Sequence, residues 1–79
     1  MSPHDVREFT LKRPFQPYRI CTTDGRTYDI VHPDQALVLR SRVVIAVGGR
    51  DGVGERTEHI ALRHIVRIEE LEPQSVPRE

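Results

Sequence analysis

Residues 59–68, His-Ile-Ala-Leu-Arg-His-Ile-Val-Arg-Ile, constrain this chain more than any other stretch. They read as a strand, a one-turn break and a second strand, with neither glycine nor proline at the break. Strands joined in this way are typical of small, strongly bent β-barrels. Ile65, Ile68 and Leu71 also share a helical spacing, which leaves a terminal helix over Ile65–Leu71 as the alternative. The strand is favoured, because Val66 and Ile68 alternate with Arg67 and Glu69 and the run is β-branched.

The remaining elements follow from local chemistry. Ser2 can cap a helix, Pro3 suits its first position, and Asp5 supports the exposed amides of the first turn. Val6 and Phe9 share one face of that helix, which ends near Leu11 or Lys12 because Pro14 drives Arg13 out of the α region. A helix of two to three turns is too short to stand alone, so Val6 and Phe9 must pack on something. Tyr18–Thr23 is a strand with Ile20 and Thr22 on one face and Arg19, Cys21 and Thr23 on the other. Asp24-Gly25 predicts a tight hairpin with both central residues at positive φ, and Arg26–Val31 returns from it. His32-Pro33-Asp34 ends that strand, since Pro33 cannot donate to a ladder. A third strand begins at Gln35 or Ala36 and runs to Leu39, and Arg40-Ser41-Arg42 interrupts it or forms a tight turn. Val43–Val47, Arg56–Leu62 and Val66–Leu71 are further strands. The glycine-rich stretch Gly48–Gly54 predicts a mobile loop, and residues 72–79 a disordered tail. The expected fold is therefore mainly β: a short N-terminal helix, then a five- or six-stranded, strongly bent antiparallel barrel of the SH3 or Sm type, filling one domain over residues 1–71.

Size sharpens the functional question. A chain of 79 residues buries a small core and is marginal without a staple. Its single cysteine, Cys21, permits no internal disulfide, which leaves self-association or a protein partner as the expected staple. Twelve basic and twelve acidic residues balance to zero net charge, without the basic excess of an ordinary nucleic-acid-binding domain. The apolar run Val43–Val47 is too short to span a bilayer, and the N-terminus carries no leader pattern. The expectation is a soluble cytoplasmic protein with a free thiol.

Catalytic and ligand motifs are weak. Gly49, Gly52 and Gly54 sit between strands and open no helix, so they do not make a phosphate cradle. His4, His32, His59 and His64 lack the spacing of zinc ligands, and no metal or other cofactor is expected. Cys21 has Arg19 beside it on its face but no histidine base in place. Asp24 is accounted for by its turn, and Glu69 and Glu70 point to opposite faces, so no general acid–base pair emerges. Nothing marks a small-molecule substrate site. The reading is a non-enzymatic interaction module.

Three segments resemble the Sm-like superfamily, and within it the bacterial Hfq RNA chaperones. They are Ile20-Cys21-Thr22-Thr23-Asp24-Gly25, a first strand closing in Asp-Gly; Asp34-Gln35-Ala36-Leu37-Val38-Leu39, an Asp-Gln followed by an apolar strand; and Leu62-Arg63-His64-Ile65-Val66, a turn similar to Tyr-Lys-His-Ala-Ile. The chain departs from that pattern in the shorter, glycine-free connection from Gly25 to Asp34, in the longer loop after Gly48, and in Leu62 where a tyrosine stands. The chain is also similar to small bacterial proteins with a Pro-Phe-x-Pro, Asp-Gly-Arg and His-Pro layout, which imply no activity. The Sm-like resemblance implies an RNA-binding ring as the alternative function. Arg63 and His64 would line its inner rim, Arg63 meeting phosphate and His64 a base or ribose, with Asp34 and Gln35 as further candidate contacts.

Overall fold

A computed structural model gives the fold and describes residues 1–49 and 53–72. The middle of the glycine-rich loop, residues 50–52, and residues 73–79 of the expected tail lie outside the described residues.

The helix α1 spans Pro3–Leu11. Ser2 accepts from the Asp5 amide at 3.1 Å and the Asp5 carboxylate accepts from the Ser2 amide, a reciprocal capping box. The strands are β1 (Tyr18–Thr22), β2 (Thr27–Ile30), β3 (Ala36–Val38), β4 (Arg42–Val47), β5 (Arg56–Ala61) and β6 (Ile65–Glu70). Two short 3₁₀ turns join strands, Pro33–Gln35 between β2 and β3 and Leu62–His64 between β5 and β6. Residues 65–70 are extended, so the helical alternative at the C-terminal end does not form.

All pairings are antiparallel, in two three-stranded sheets ordered β2-β1-β6 and β3-β4-β5. The expected closed barrel is not formed. Pro33 removes a ladder donor and opens a 3₁₀ turn, so β2 stops at Ile30 and β3 starts afresh in the other sheet. Nor do the strands flanking Leu62–His64 pair with each other. The turn carries the chain from one sheet to the other, so β5 pairs with β4 and β6 with β1. The β1–β2 hairpin also differs from the two-residue expectation. Thr22 donates to the Arg26 carbonyl and Gly25 to the Thr22 carbonyl, at 3.0 and 3.1 Å, which makes a three-residue loop with Gly25 at φ 86°. The Asp24 carboxylate accepts from the Thr22 hydroxyl and the Arg26 amide. Those bonds, the Thr22 one foremost, hold its pKa below the ordinary aspartate value.

The core lies between the sheets. Tyr18, Ile20, Ile30, Val43 and Ile45 are fully buried, and Val6 of α1 joins them. Each such side chain contributes about 1.5–3 kcal/mol relative to exposure. Phe9 and Phe15 flank the Tyr18 ring, and the Tyr18 hydroxyl hydrogen-bonds Thr10 at 3.0 Å. On the outer face of the first sheet, Arg19 makes a two-pronged contact with Asp29 at 2.7 and 3.2 Å, and Arg67 pairs with Glu69 at 2.7 Å. Exposed pairs of this kind contribute about 0–1 kcal/mol each, so the apolar core decides the fold. Cys21 is buried on that face between β2 and β6, as a packed thiol.

Candidate functional site

Arg63 and His64 occupy the second 3₁₀ turn. Leu62 opens that turn and is buried, while Arg63 and His64 are exposed. The His64 carbonyl accepts from the Thr23 amide at 2.8 Å, and its Nδ1 lies 3.3 Å from the Thr23 hydroxyl. The histidine thus stitches the turn to the β1–β2 hairpin, and its imidazole edge stays in solvent.

Asp34 and Gln35 lie elsewhere. They sit on the first 3₁₀ turn, beyond the Ile30 end of β2, whereas His64 borders a cleft with Arg26 at the other end. The intervening strand separates the two places by roughly 15–20 Å at about 3.3 Å per residue. The structure therefore does not bring the four expected residues together. Gln35 is also committed to backbone. Its Oε1 accepts from the Val31 amide at 2.9 Å, and its Nε2 donates to the Asp29 and Ala46 carbonyls at 3.1 and 3.2 Å. Asp34 is exposed beside a cleft of about 470 Å³ that Val31 and Gly48 also line.

Two arginines and a histidine that sequence reasoning passed over join Arg63 instead. The Ser41 carbonyl accepts from the Leu62 amide at 3.0 Å, which docks the Arg40-Ser41-Arg42 turn against the second 3₁₀ turn. Arg42 Nη1 donates to His59 Nδ1 at 3.3 Å. Arg40, Arg42 and Arg63 are exposed and form no ion pair among the described residues, whereas Arg19, Arg26, Arg56 and Arg67 each pair with a carboxylate. Among the described residues, a locally basic corner thus forms in a chain of zero net charge. Beside it is a cleft of about 400 Å³, bordered by Asp24, Arg26, Tyr28, Glu58, His59 and His64. In it the Tyr28 hydroxyl donates to Glu58 Oε1 at 3.2 Å, and Glu58 Oε2 stands 4.0 Å from Arg56 Nε.

The strand edges form the other candidate surface. Gln35 occupies the outer edge of β2 at Asp29 and Val31. The three-residue β3 lies against α1. The six-residue β5 and β6 each pair on one side only. A bulge in β6 makes Val66 an extra residue opposite the Cys21–Thr22 step, and its side chain is 55 % exposed.

Among the described residues, no cluster of three or more His, Cys, Asp or Glu side chains is arranged to hold a metal ion, and no helix is long and apolar enough to cross a membrane. No protein-family model matches the chain, and comparisons with curated proteins and with solved structures found no match either.

Proposed function

We propose that this chain is a non-enzymatic interaction module that joins copies of itself, or a protein partner, along the edges of β5 and β6. The observation that carries this reading is the contrast between edges. The four-residue β2 has Gln35 bonded along its edge and β3 is only three residues long beside α1, while β5 and β6 offer six residues each with one side unpaired. An open edge is a template for another strand, and a small core without a disulfide gains stability from association. One copy's β5 meeting the next copy's β6 would cover both open edges with a single kind of contact. Such head-to-tail contact closes into a ring or grows as an open chain, according to the rotation per step. Sedimentation velocity across a wide concentration range tests it. A species that stays monomeric at the highest concentration attainable ends this reading.

A second reading, RNA binding by an Sm-like assembly, is favoured by the corner where the Arg40-Ser41-Arg42 turn docks against the turn that carries Arg63 and His64. Repeating that corner around an assembly would set several cationic patches side by side and offset the zero net charge of one chain. Backbone phosphates would meet the guanidinium groups, and affinity would fall steeply with salt. Fluorescence anisotropy with uridine-rich and adenine-rich RNA at two salt concentrations is the test. Arg63→Ala and Arg40→Ala should each weaken binding and lower the salt slope by about one. Absence of binding in low salt removes this reading, and binding indifferent to both substitutions removes the corner as its site.

A further inference from the structure

Self-association through β5 and β6 leaves open how the two strands would align. For β5 of one copy against β6 of the next, two independent features of these strands select one register. The first is the direction of their backbone groups. Leu62 donates to Ser41 of the β3–β4 turn. By antiparallel alternation Ile60, Glu58 and Arg56 then turn their peptide groups toward β4, and Thr57 and His59 turn theirs to the open edge. Leu71 donates to Pro17 at 2.8 Å, so Glu69 and Arg67 face β1, and Ile68 and Glu70 face the open edge of β6.

The second feature is charge. β5 carries Arg56 and Glu58, and β6 carries Arg67 and Glu69, both in the order cation, one residue, anion. Two strands that share this order become complementary when they run antiparallel. From this we infer that β5 of one copy adds to β6 of a second copy with Thr57 opposite Ile68, Arg56 opposite Glu69 and Glu58 opposite Arg67. This alignment rests on the self-association reading and makes it specific.

The alignments two residues away in either direction are both penalised. Sliding so that Thr57 faces Glu70 sets Glu58 against Glu69. Sliding the other way, so that Thr57 faces Val66, sets Arg56 against Arg67. Like charges directly opposite one another destabilise a sheet, and opposite charges stabilise it. In the single chain the contacts of these four groups to charges on other strands are long, Arg19 to Glu69 and Arg26 to Glu58, each at 3.9 Å. Arg56 lies 4.0 Å from Glu58 of its own strand, and Arg67 pairs at 2.7 Å with Glu69 of its own strand. In the joined sheet Arg67 of the second copy would approach Glu58 at the mouth of the cleft, where Glu58 Oε1 is held by Tyr28 and Oε2 has only the distant Arg56.

Native mass spectrometry and sedimentation of charge-reversed chains test the alignment, with circular dichroism confirming that each variant folds. Glu58→Arg and Arg67→Glu should each weaken association by about tenfold or more, because each trades one opposite-charge pair for a like-charge pair. Mixing the two single variants should restore assembly with the two chains alternating, because the altered β5 edge of the first matches the altered β6 edge of the second and their remaining edges match as in the wild type. The chain carrying both reversals should assemble again. A wild-type chain that associates but is indifferent to both reversals overturns the alignment and leaves self-association standing. A wild-type chain that never associates overturns both. Should the Glu58 variant fail to fold, Arg56→Glu against Glu69→Arg asks the same question at the adjacent pair.

Discussion

Replacing Gln35 by alanine should destabilise the fold substantially, although the sequence marks that residue as a surface contact. Three hydrogen bonds disappear, one accepted from the Val31 amide and two donated to the Asp29 and Ala46 carbonyls. A neutral hydrogen bond contributes about 0.5–1.5 kcal/mol net, so the loss sums to about 2–3 kcal/mol. Water can reach some of the groups left behind, because Asp29 and Val31 lie at a sheet edge, which keeps the cost from rising further. A domain of this size has about 4–12 kcal/mol in total, so the change is a large fraction of it. It should lower the thermal midpoint by about 10–20 °C. Urea unfolding followed by circular dichroism, at one fixed protein concentration because association shifts the midpoint, gives the value. Gln35→Glu serves as the comparison. It preserves an acceptor for Val31 but turns a carboxylate oxygen toward two carbonyls, and it should cost at least as much. A loss under about 0.5 kcal/mol for Gln35→Ala, the range of an ordinary surface substitution, would refute the reasoning. The side chain would then be available for binding after all.

Further outcomes follow from other contacts. The Arg19 hydrogen bond and charge hold the Asp29 carboxyl below its ordinary value, and the Thr22 bond does the same for Asp24. Both stabilising contributions are therefore complete above the unfolded aspartate value and fade as pH falls through the lower folded values. Urea midpoints should be flat near neutrality and drop below about pH 4, with a shallower drop in Asp29→Asn; an equal drop in that variant would exclude the Arg19 pair as a source. Gly25→Ala should cost about 1–2 kcal/mol, because a side chain is strained at φ 86°, and a neutral result in chemical denaturation would contradict the three-residue loop. Burial raises the Tyr18 phenol pKa, so alkaline difference spectroscopy should show a step above the ordinary phenol range, and Tyr18→Phe should remove that step while costing about 1 kcal/mol for the Thr10 bond.

Local pattern made much of this architecture legible. The Ser2–Asp5 capping box, the buried Val6 and the strand–turn–strand over residues 59–68 all follow from interactions within a few residues. Their signals are local for that reason, although the helical spacing of Ile65, Ile68 and Leu71 left a second reading of the last strand. What stayed hidden depends on partners far along the chain. Nothing near Tyr18 says that β1 lies between β2 and β6, because Tyr18 finds Glu70 across most of the sequence. Gln35, a polar residue just after a proline, reads as solvent-facing until the Ala46 carbonyl of β4 is placed beside it. Arg40-Ser41-Arg42 reads as a turn, yet its bond to Leu62 is what gathers the basic corner. Barrel closure was the expectation that failed, because the turns Pro33–Gln35 and Leu62–His64 each pass the chain from one sheet to the other and leave two separate three-stranded sheets.

The central position of β1 also sets an order of events during folding. The sheet β3-β4-β5 joins strands that follow one another, so it can form from a contiguous stretch by short loop closures. The sheet β2-β1-β6 cannot be completed until the last strand returns to the first, and closing so long a loop is entropically costly and slow. During synthesis, Ile20 and Tyr18 would wait with one flank bare until Ile65–Glu70 emerges, a window in which an apolar strand is exposed to aggregation. Pulsed amide exchange during refolding should find Ile45 protected before Arg19, whose amide faces β6, and simultaneous protection would show that the two halves assemble as one.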